Sequence, residues 1–504
     1  MDRRLTLISI VVVVTLIFMP CVSEAKIVHI AVDGSLIALD DTGHVWAWGD
    51  NTYGQLGIGT IGGTYAPNNA QKVSIDNVTA IATSGITSYA LKKDGTVWAW
   101  GEGGRGRLGT GNSESISSPV QVEGLTDIVA ISAGQNCYAL KKDGTVYSWG
   151  LNDNGQLGGT YGVPAYSETP VQIVGLTNIA TLGEHGNYAV RKDGKVYAWG
   201  DNTLYKNPDT GKTVYGFLGD PSGPGQRPIP FIVPGLDAVN AITNGWCYSI
   251  FLKNDGTVWG WGFNQDGYLG DGTKFTYPVQ IENGAKTIVL RDWVCTLPPV
   301  RADIDDVKQI STLFNTVTAL KNDGTVWEWG ICNSGSQYGA PGAVLSPVQV
   351  QGIDHVIEVK TSSATIVLKD DGTVWGWGYN DGNVLKEGNV NALVSSPMLL
   401  FEDLSPGVTT SPSPQPSLTS EVPNQVTLTP TPQQFQNTTK NSTADATLPS
   451  NSTIQPAFIT VTPTPVPLPT STSVPIPGFS SIAMLSCLFI TAGILLGFAR
   501  RKDR

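Results

Sequence analysis

The sequence predicts an all-β protein, a seven-bladed β-propeller followed by a disordered stalk and one transmembrane helix. Seven Trp-Gly dipeptides close a recurring strand pattern, with spacings of 52, 49, 50, 62, 68 and 48 residues. The composition agrees, because 58 Gly, 14 Trp and only 14% charged residues are typical of many short strands joined by tight turns. A single repeat forms a sheet too small to bury its apolar face, so the seven sheets must stack into a ring.

The repeat contains a hairpin and a further strand. The copy at 90–101 reads Ala-Leu-Lys-Lys-Asp-Gly-Thr-Val-Trp-Ala-Trp-Gly, and six of the seven copies carry the Asp-Gly pair. A two-residue Asp-Gly loop predicts a type I′ turn, which needs positive φ at both positions. A glycine-bracketed leucine follows, as in Gly54-Gln-Leu-Gly57, and is degraded in the last two copies. A strand such as Pro-Val-Gln-Val at 119–122 completes the unit.

As a set, these motifs resemble the repeats of the regulator of chromosome condensation family, over nearly all of residues 27–403. The resemblance implies four-stranded blades around a central axis. The family often has His just before the Ala-Leu strand, whereas the first copy has Leu36 there and no copy has His. The family's nuclear founder exchanges nucleotide on a small GTPase, a role that an exported, acidic protein is not expected to share.

The ends of the repeat region suggest how the ring closes. The first copy starts at Ile27 with no Pro-Val-Gln-type strand before it, and a matching strand appears at Ser396–Leu400. We therefore expect the N- and C-terminal strands to pair within one shared blade, which would remove exposed edges.

Residues 1–25 predict a secretory signal peptide. Arg3 and Arg4 precede an apolar run that is shorter than the ~20 residues a membrane span needs. Small residues up to Ala25 suit a signal peptidase, so the mature chain is expected to begin at Lys26. An uncleaved anchor is the alternative.

Residues 477–504 predict a membrane anchor. Ser480–Ala499 is apolar and uncharged, and the basic residues after it should stay cytoplasmic. With Pro477, Gly478 and Phe479 in front, the segment resembles the PGF-CTERM sorting signal of archaeal surface proteins. That resemblance implies removal of the helix by an archaeosortase and attachment to a lipid, and the alternative is a plain stop-transfer anchor. Either places the preceding chain on the extracellular face of the cell membrane.

Residues 404–476 predict an extended stalk between propeller and anchor. Ser, Thr and Pro dominate it, a composition that cannot bury enough apolar surface to fold. Glycosylation sequons begin at Asn437, Asn441 and Asn451 in the stalk, and at Asn77 in the propeller. The predicted domains are thus the signal peptide 1–25, the propeller 26–403, the stalk 404–476 and the sorting signal 477–504.

Motifs for catalysis and metal binding are missing from the sequence. No two of the four histidines have metal-ligand spacing, and His-Glu-x-x-His, Gly-x-Ser-x-Gly and Cys-x-x-Cys do not occur. We therefore predict no enzyme activity, no catalytic residue, no metal and no cofactor. Asp and Asn cluster after each Trp-Gly, which indicates turn chemistry, and calcium binding is the alternative.

Two long repeats and two cysteines supply the candidate site residues. The extra length lies near 203–226 and 285–304, and insertions in a propeller form surface loops, where binding usually resides. The candidate ligand contacts are Tyr205, Tyr215, Phe217 and Trp293, with local loop packing as the alternative. Cys295, in an insertion of the sixth unit, is predicted to pair with Cys332, just after that unit's Trp-Gly, because disulfides persist outside the cell.

Taken in order, signal, propeller, stalk and anchor predict a cell-surface binding or adhesion protein, or an envelope scaffold. Its expected partner is a protein or an envelope glycan, and the membrane is reached through the anchor. The net charge of −11 argues against nucleic acid, because an acidic body repels phosphate backbones. The alternatives are an extracellular polysaccharide-acting enzyme and a secreted protein inhibitor.

Overall fold

The computed structural model describes residues 25–402, with gaps at 135, 160–163, 185, 207–212, 224, 246, 275–278, 283–284, 289–294, 333–342 and 387–391. The side chains of 204–206, 213–215, 279–282, 285–288 and 295–297 are likewise not described. The signal peptide up to residue 24, the stalk and the sorting signal fall outside the described residues.

Seven antiparallel sheets form the predicted blades. Blade 1 contains β1 (Ile27–Asp33), β2 (Ser35–Asp40), β3 (Val45–Asp50) and two short outer strands, β4 (Thr64–Tyr65) and β5 (Gln71–Lys72). Blade 2 contains β6 (Val78–Thr83), β7 (Thr87–Lys92), β8 (Val97–Gly101) and β9 (Ile116–Gln121). Blade 3 contains β10 (Ile128–Ala133), β11 (Asn136–Lys141), β12 (Val146–Leu151) and β13 (Tyr166–Gln172).

The remaining blades repeat this order, and two of them carry an extra hairpin. Blade 4 contains β14 (Ile179–Leu182), β15 (Tyr188–Arg191), β16 (Val196–Asp201) and β19 (Gln226–Ile232), with the hairpin β17 (Thr203–Lys206) and β18 (Thr213–Tyr215) inserted before β19. Blade 5 contains β20 (Val239–Asn244), β21 (Tyr248–Lys253), β22 (Val258–Phe263) and β25 (Cys295–Arg301), with the hairpin β23 (Val279–Glu282) and β24 (Ala285–Ile288) before β25.

Blade 6 contains β26 (Val307–Leu313), β27 (Thr316–Lys321), β28 (Val326–Ile331) and β29 (Ala343–Gln349). Blade 7 contains β30 (Val356–Thr361), β31 (Ala364–Lys369), β32 (Val374–Tyr379) and β33 (Leu393–Phe401). Helical structure within the described ranges is confined to the 3-10 turns Pro67–Asn69, Gly104–Gly106 and Asp381–Asn383. None of these turns could cross a membrane.

The predicted pairing of N- and C-terminal strands in one blade is wrong. The C-terminal strand β33 pairs with β32 of its own blade, and blade 1 draws its outer strands from residues 64–72. The error lies in the phase of the repeat. Each blade is one continuous segment whose outer strand follows its own Trp-Gly, so no strand is missing at the start. For the same reason Cys295 belongs to blade 5, and not to a sixth unit.

The predicted two-residue type I′ turn is also wrong, although the hairpins themselves are confirmed. In blade 2, Lys92 pairs with Thr96 and the amide of Gly95 donates to the carbonyl of Lys92 at 2.9 Å, so the loop has three residues. Gly95 has φ +82°, but Asp94 does not have positive φ. The reason is local, because the Asp94 carboxylate accepts the Thr96 amide at 3.0 Å and thereby favours a type I turn followed by a left-handed glycine.

A tryptophan from the third strand seals each junction between blades. The Trp residues of all seven Trp-Gly pairs are fully buried. Six of their indole N–H groups donate to a backbone carbonyl in the leucine motif of the preceding blade at 2.8–3.0 Å: Trp48 to Val384, Trp100 to Gln55, Trp149 to Arg107, Trp199 to Gln156, Trp261 to Phe217 and Trp329 to Tyr268. Trp377 donates to the buried carboxylate of Glu328 at 3.0 Å. The bond from Trp48 closes the ring between blades 7 and 1.

Two further devices recur at the start of the innermost strand. A β-bulge interrupts the pairing of the first strand in all seven blades, as between Ile27 and His29. In six blades the preceding residue has positive φ: Asn77, Asp127, Asn178, Ala238, Asp306 and His355. Together they turn the chain from the outer edge of one blade to the axis of the next.

Candidate functional site

The two faces of the ring are built from different connections. The first-to-second strand turns and the third-to-fourth strand connections emerge on one face, which we call the loop face. The second-to-third strand hairpins and the linkers between blades emerge on the opposite face, the turn face. This division follows from the antiparallel order of every blade.

In five blades, the described part of the third-to-fourth strand loop is built around one asparagine. Its carboxamide oxygen accepts the amide of the motif leucine at 2.9–3.1 Å, and its nitrogen donates to carbonyls farther along the loop. The five described examples are Asn51, Asn152, Asn202, Asn264 and Asn380. These Asn side chains are thus engaged with the backbone, which fits the predicted turn chemistry. The arrangement holds the loop base rigidly and leaves the tip free to vary.

The two inserted hairpins also lie on the loop face, in the adjacent blades 4 and 5. Both occupy third-to-fourth strand connections, where the long repeats predict extra structure. Tyr205 and Tyr215 belong to the paired strands β17 and β18, but their side chains are not described, and Trp293 lies outside the described residues.

Phe217, the fourth candidate contact, occupies a structural position in the leucine motif. Its carbonyl accepts the hydroxyl of Tyr188 at 2.6 Å and the indole of Trp261 at 2.9 Å. Its half-buried ring meets that of Tyr188 edge to face at 6.5 Å. Packing therefore accounts for Phe217, and its role as a ligand contact stays a prediction.

Sequence reasoning missed several exposed apolar side chains on the loop face. Tyr53 and Ile61 lie on the blade 1 loop and are 42% and 61% exposed. Tyr379 and Leu393 face each other across β32 and β33 at the edge of blade 7, and both are exposed. Phe314, also exposed, occupies an inner turn of blade 6 with φ +49°, a strained conformation for an aromatic residue. Apolar groups displayed on a polar rim are typical of protein-binding surfaces.

A buried ion pair crosses the axis of the ring. The ammonium of Lys360 in blade 7 lies 3.4 Å from the carboxylate of Glu184 in blade 4, and the two side chains are 1% and 2% exposed. A second carboxylate, that of Glu358, lies 3.8 Å from the same ammonium. Charges this deeply buried persist only when paired, so the pair ties opposite sides of the ring together.

The mouth of the axis on the turn face carries a titratable pair. His29 of β1 lies 3.5 Å from Glu358 of β30, and the same carboxylate accepts the amide of Ile30 at 3.2 Å. Burial and the charge of Lys360 lower the pKa of His29, but the hydrogen bond and charge of Glu358 outweigh them and raise it above its ordinary value. This pair joins blade 1 to blade 7.

The turn face is more uniform than the loop face. In five blades the hairpin aspartate binds the amide and hydroxyl of the threonine two residues later, which lowers the pKa of that aspartate, as at Asp94. Beside the hairpin, a basic residue lies over a half-buried aromatic ring in six blades, for example Lys253 over Trp259 at 4.4 Å. Arrangements that recur in most blades are explained by the stability of the hairpins.

The structure describes only some of the residues on which the cysteine and metal predictions depend. Cys332 carries a free thiol whose pKa is raised by burial, and the side chain of Cys295 is not described, so their pairing stays a prediction. Within the described residues, no group of three or more His, Cys, Asp and Glu side chains is placed to hold a metal ion.

The predicted modification sites fall mostly outside the structure. Asn77 is exposed and has φ +56° on the turn face. Ala25 and Lys26 are the first described residues. The sequons at Asn437, Asn441 and Asn451, and the processing signal at 477–479, lie outside the described residues. Glycosylation and cleavage at all these positions stay predictions.

Comparison with known proteins gives a family match. The chain matches the profile described as "RCC1-like domain" over residues 18–296, more than half of its length. It is 36% identical to the E3 ubiquitin-protein ligase HERC2 of Homo sapiens over 104 residues, 20% of this chain and 2% of HERC2. It is 31% identical to the mitochondrial RCC1 domain-containing protein RUG3 of Arabidopsis thaliana over 143 residues, 28% of this chain and 32% of RUG3.

The chain therefore spans no more than about a third of the curated relatives it matches. Among solved structures, it resembles Prp20p from Saccharomyces cerevisiae, described with its binding to Gsp1p and histones, with a TM-score of 0.53 and 20% identity over 72% of this chain and 87% of that one. Human WBSCR16 gives a TM-score of 0.50 at 20% identity, over 67% and 85% of the two chains. At this level of identity the similarity shows the fold alone.

Proposed function

Because this chain belongs to the RCC1-like domain family, we propose that its propeller is a binding module that engages a partner protein through the loop face. The single observation behind this proposal is the difference between the faces. The turn face repeats one aromatic and basic arrangement in nearly every blade, whereas the loop face varies in loop length and composition. A rigid scaffold with variable loops on one face is the usual design of a recognition surface.

Three features of the loop face support protein recognition in particular. The inserted hairpins of blades 4 and 5 rise from adjacent blades. The exposed side chains of Tyr53, Ile61, Tyr379 and Leu393 provide the apolar and aromatic groups that are enriched at interface centres. Buried asparagines fix the loop bases, so binding costs little ordering of the loops.

We place this module on the extracellular face of the cell membrane. The support comes from sequence alone: the signal peptide at 1–25, the stalk at 404–476 and the anchor at 477–504. In that setting the stalk serves as a spacer between propeller and membrane, and an adhesion partner or envelope scaffold protein is the expected ligand. Catalysis is not part of the proposal, because the proposal needs no reacting group.

Site-specific photocrosslinking in the full chain tests which face binds. A benzophenone side chain at Tyr53, on the loop face, is expected to yield crosslinked protein in intact envelopes of the producing cell. The matched control carries the same group at Val174, which is 71% exposed in the linker between blades 3 and 4 on the turn face. Mass spectrometry of the crosslinked band identifies the partner.

Three results are informative. Crosslinking from Tyr53 that disappears when the β17–β18 hairpin is shortened supports the proposal. Crosslinking from Val174 alone contradicts the assignment of the face. Loss of every protein crosslink, together with binding of the propeller to purified envelope polysaccharide, would replace the partner protein with a glycan.

A further inference from the structure

The carboxylate of Asp33 is buried without a compensating partner. Asp33 ends the innermost strand of blade 1 and is 0% exposed. Neither of its carboxylate oxygens accepts a hydrogen bond in the described structure. An isolated ionised carboxylate costs several kcal/mol or more to bury, so it must be neutralised by a proton or by a cation.

A second carboxylate approaches from the other side of the seam between blades 7 and 1. Asp381 lies in the 3-10 turn that follows β32, and the turn packs on blade 1, since a Cβ added to Gly382 would lie 2.0 Å from the carbonyl oxygen of Gly34. Burial first, and then the charge of Asp381, raise the pKa of Asp33 well above its ordinary range. The close approach of Gly34 and Gly382, the residues that follow Asp33 and Asp381, brings the two acidic positions together across the seam.

Asp50 adds negative charge without competing as a ligand. Its own oxygens are engaged, one with the amide and hydroxyl of Thr52 and the other with the carboxamide of Gln55 at 2.9 Å. Burial and the charge of Asp50 raise the pKa of Asp381. Asp50 and Asp381 are only partly buried, so the cluster is open toward the loop face.

Buried hydroxyls without partners lie beside this carboxylate. Ser35 pairs with Asp33 across the turn between β1 and β2, and its Oγ has no hydrogen-bond partner. Ser84 is the residue of blade 2 that matches Asp33 in the repeat, and its Oγ also has no hydrogen-bond partner among the described residues. The blades meet at this level, since the carbonyl of Gly85 would lie 3.7 Å from a Cβ on Gly34. Buried polar groups normally bind a protein partner, a water or an ion, so these hydroxyls can supply further oxygen ligands.

We propose that Asp33 and Asp381 bind a divalent cation, Ca²⁺ or Mg²⁺, at the seam between blades 7 and 1. Both ions prefer oxygen ligands, and both are held by one or two carboxylates with water, hydroxyl or carbonyl oxygens completing the shell. This composition fits a site with two carboxylates and neighbouring hydroxyls, and it does not require three acidic ligands. The cation would link blade 1 to blade 7, and it would take the place of the proton that Asp33 otherwise needs.

Thermal unfolding of the full chain, stripped with EDTA and dialysed, tests the proposal. CaCl₂ or MgCl₂ is expected to raise the Tm by about 3–5 °C at a concentration 100 times the Kd, relative to NaCl of equal ionic strength. In Asp33→Asn the rise is expected to vanish, while the Tm without divalent cation stays equal to or above that of the wild type, because the uncompensated charge is gone.

The matched control is Asp127→Asn, which removes the same charge from an exposed position where neighbouring linkers carry Asn. It should keep the full cation response. If Asp33→Asn does not fold, Asp381→Asn gives a second test, with at least a tenfold weaker response expected. Terbium luminescence titrated on the same proteins reports binding directly.

An unchanged Tm in both chlorides, with no terbium signal that depends on Asp33, overturns the proposal and leaves a proton as the neutralising group. A cation response that survives in both Asp33→Asn and Asp381→Asn also overturns it, because the ion would then bind elsewhere. The outcome is independent of the partner protein, since no ligand of the loop face takes part.

Discussion

Replacing Trp48 with phenylalanine tests how the ring closes. The indole of Trp48 donates to the carbonyl of Val384 across the seam at 3.0 Å, and its ring stacks on Phe401 of blade 7 at 5.7 Å. The internal counterpart is Trp149, which donates to Arg107 at 2.9 Å and meets Tyr89 at 6.2 Å. Both tryptophans are fully buried. If the seam is an ordinary junction, the two substitutions should cost the same free energy of unfolding.

The expected cost comes from two terms. Removing the indole N–H leaves a buried carbonyl unsatisfied, which costs about 1–3 kcal/mol. Loss of one ring of the indole leaves a partly filled cavity and adds about 1–2 kcal/mol. Each variant should therefore lose about 2–5 kcal/mol, and for a domain of this size that corresponds to about 2–8 °C in Tm.

Urea and thermal unfolding of the full chain, followed by near-ultraviolet circular dichroism, measure both variants. Equal losses within about 0.5 kcal/mol and a single transition are expected for Trp48→Phe and Trp149→Phe. The reasoning fails if Trp48→Phe matches the wild type while Trp149→Phe does not. It also fails if Trp48→Phe alone unfolds in two steps, because the seam would then be a separate, weaker element.

Three further predictions concern charge and backbone. In His29→Gln the fall in Tm between pH 6 and pH 8 should be smaller than in the wild type. The reason is that a histidine with a raised pKa contributes stability that is lost as the pH rises through that pKa. An equal fall in both proteins would assign the pH dependence to other groups. Lys360→Met should lower the free energy of unfolding by about 3–5 kcal/mol, because it leaves Glu184 buried and unpaired, and adding Glu184→Gln should recover part of that loss. Strict additivity of the two substitutions in a double-mutant cycle would show that the two side chains are not coupled. Gly382→Ala should destabilise more than Gly175→Ala, since both have positive φ but only the first would place a Cβ against backbone; equal Tm values would contradict close packing of the seam.

The sequence was sufficient for the blade count and for most strands. The Trp-Gly spacing marks the third strand of every blade, and the apolar residues around it lie in the buried core. The long spacings at 62 and 68 residues correctly placed extra structure in blades 4 and 5. These predictions succeed because they rest on the pattern of buried residues, and that pattern recurs in each copy of the repeat.

The phase of the repeat and its turn geometry could not be obtained in this way. A periodic string can be cut between any two strands, so the sequence did not decide whether 396–400 closes the first blade or the last. The Asp-Gly pair suits both a type I′ turn and a type I turn with a left-handed glycine, and the choice depends on the Asp94–Thr96 hydrogen bond. The positive φ of the linkers left a weak trace, since Asn or Asp fills four of the six positions.

The axis was missed for another reason. The groups that meet there come from blades far apart in the chain and from positions that differ among the copies. Lys360 and Glu184 are separated by 176 residues and do not hold equivalent places in their blades. Asp33 matches a serine in blade 2, so the repeat alignment gives no sign of a carboxylate pair with Asp381. A comparison of the repeats shows the residues that the copies share, and it therefore overlooks residues that occur at one junction only.

The junction that differs most is the seam between blades 7 and 1. Its backbone geometry repeats that of the other junctions, but within the described residues it also carries the His29–Glu358 pair and the buried, unpartnered carboxylate of Asp33. Both features contribute less to the stability of the seam as the pH rises. The raised pKa of His29 means that its contribution is lost as pH rises through that value, and the raised pKa of Asp33 means that its neutral form, and the stability tied to it, is also lost as pH rises. A divalent cation at Asp33 opposes the second loss because it replaces the proton.

The seam should therefore be the first junction to open at alkaline pH in EDTA. Hydrogen exchange would detect this opening as faster exchange of the Ile30 amide, and added Ca²⁺ should slow that exchange. Uniform exchange at the seam and at the junction between blades 2 and 3 under both conditions would show that the ring treats all its junctions alike.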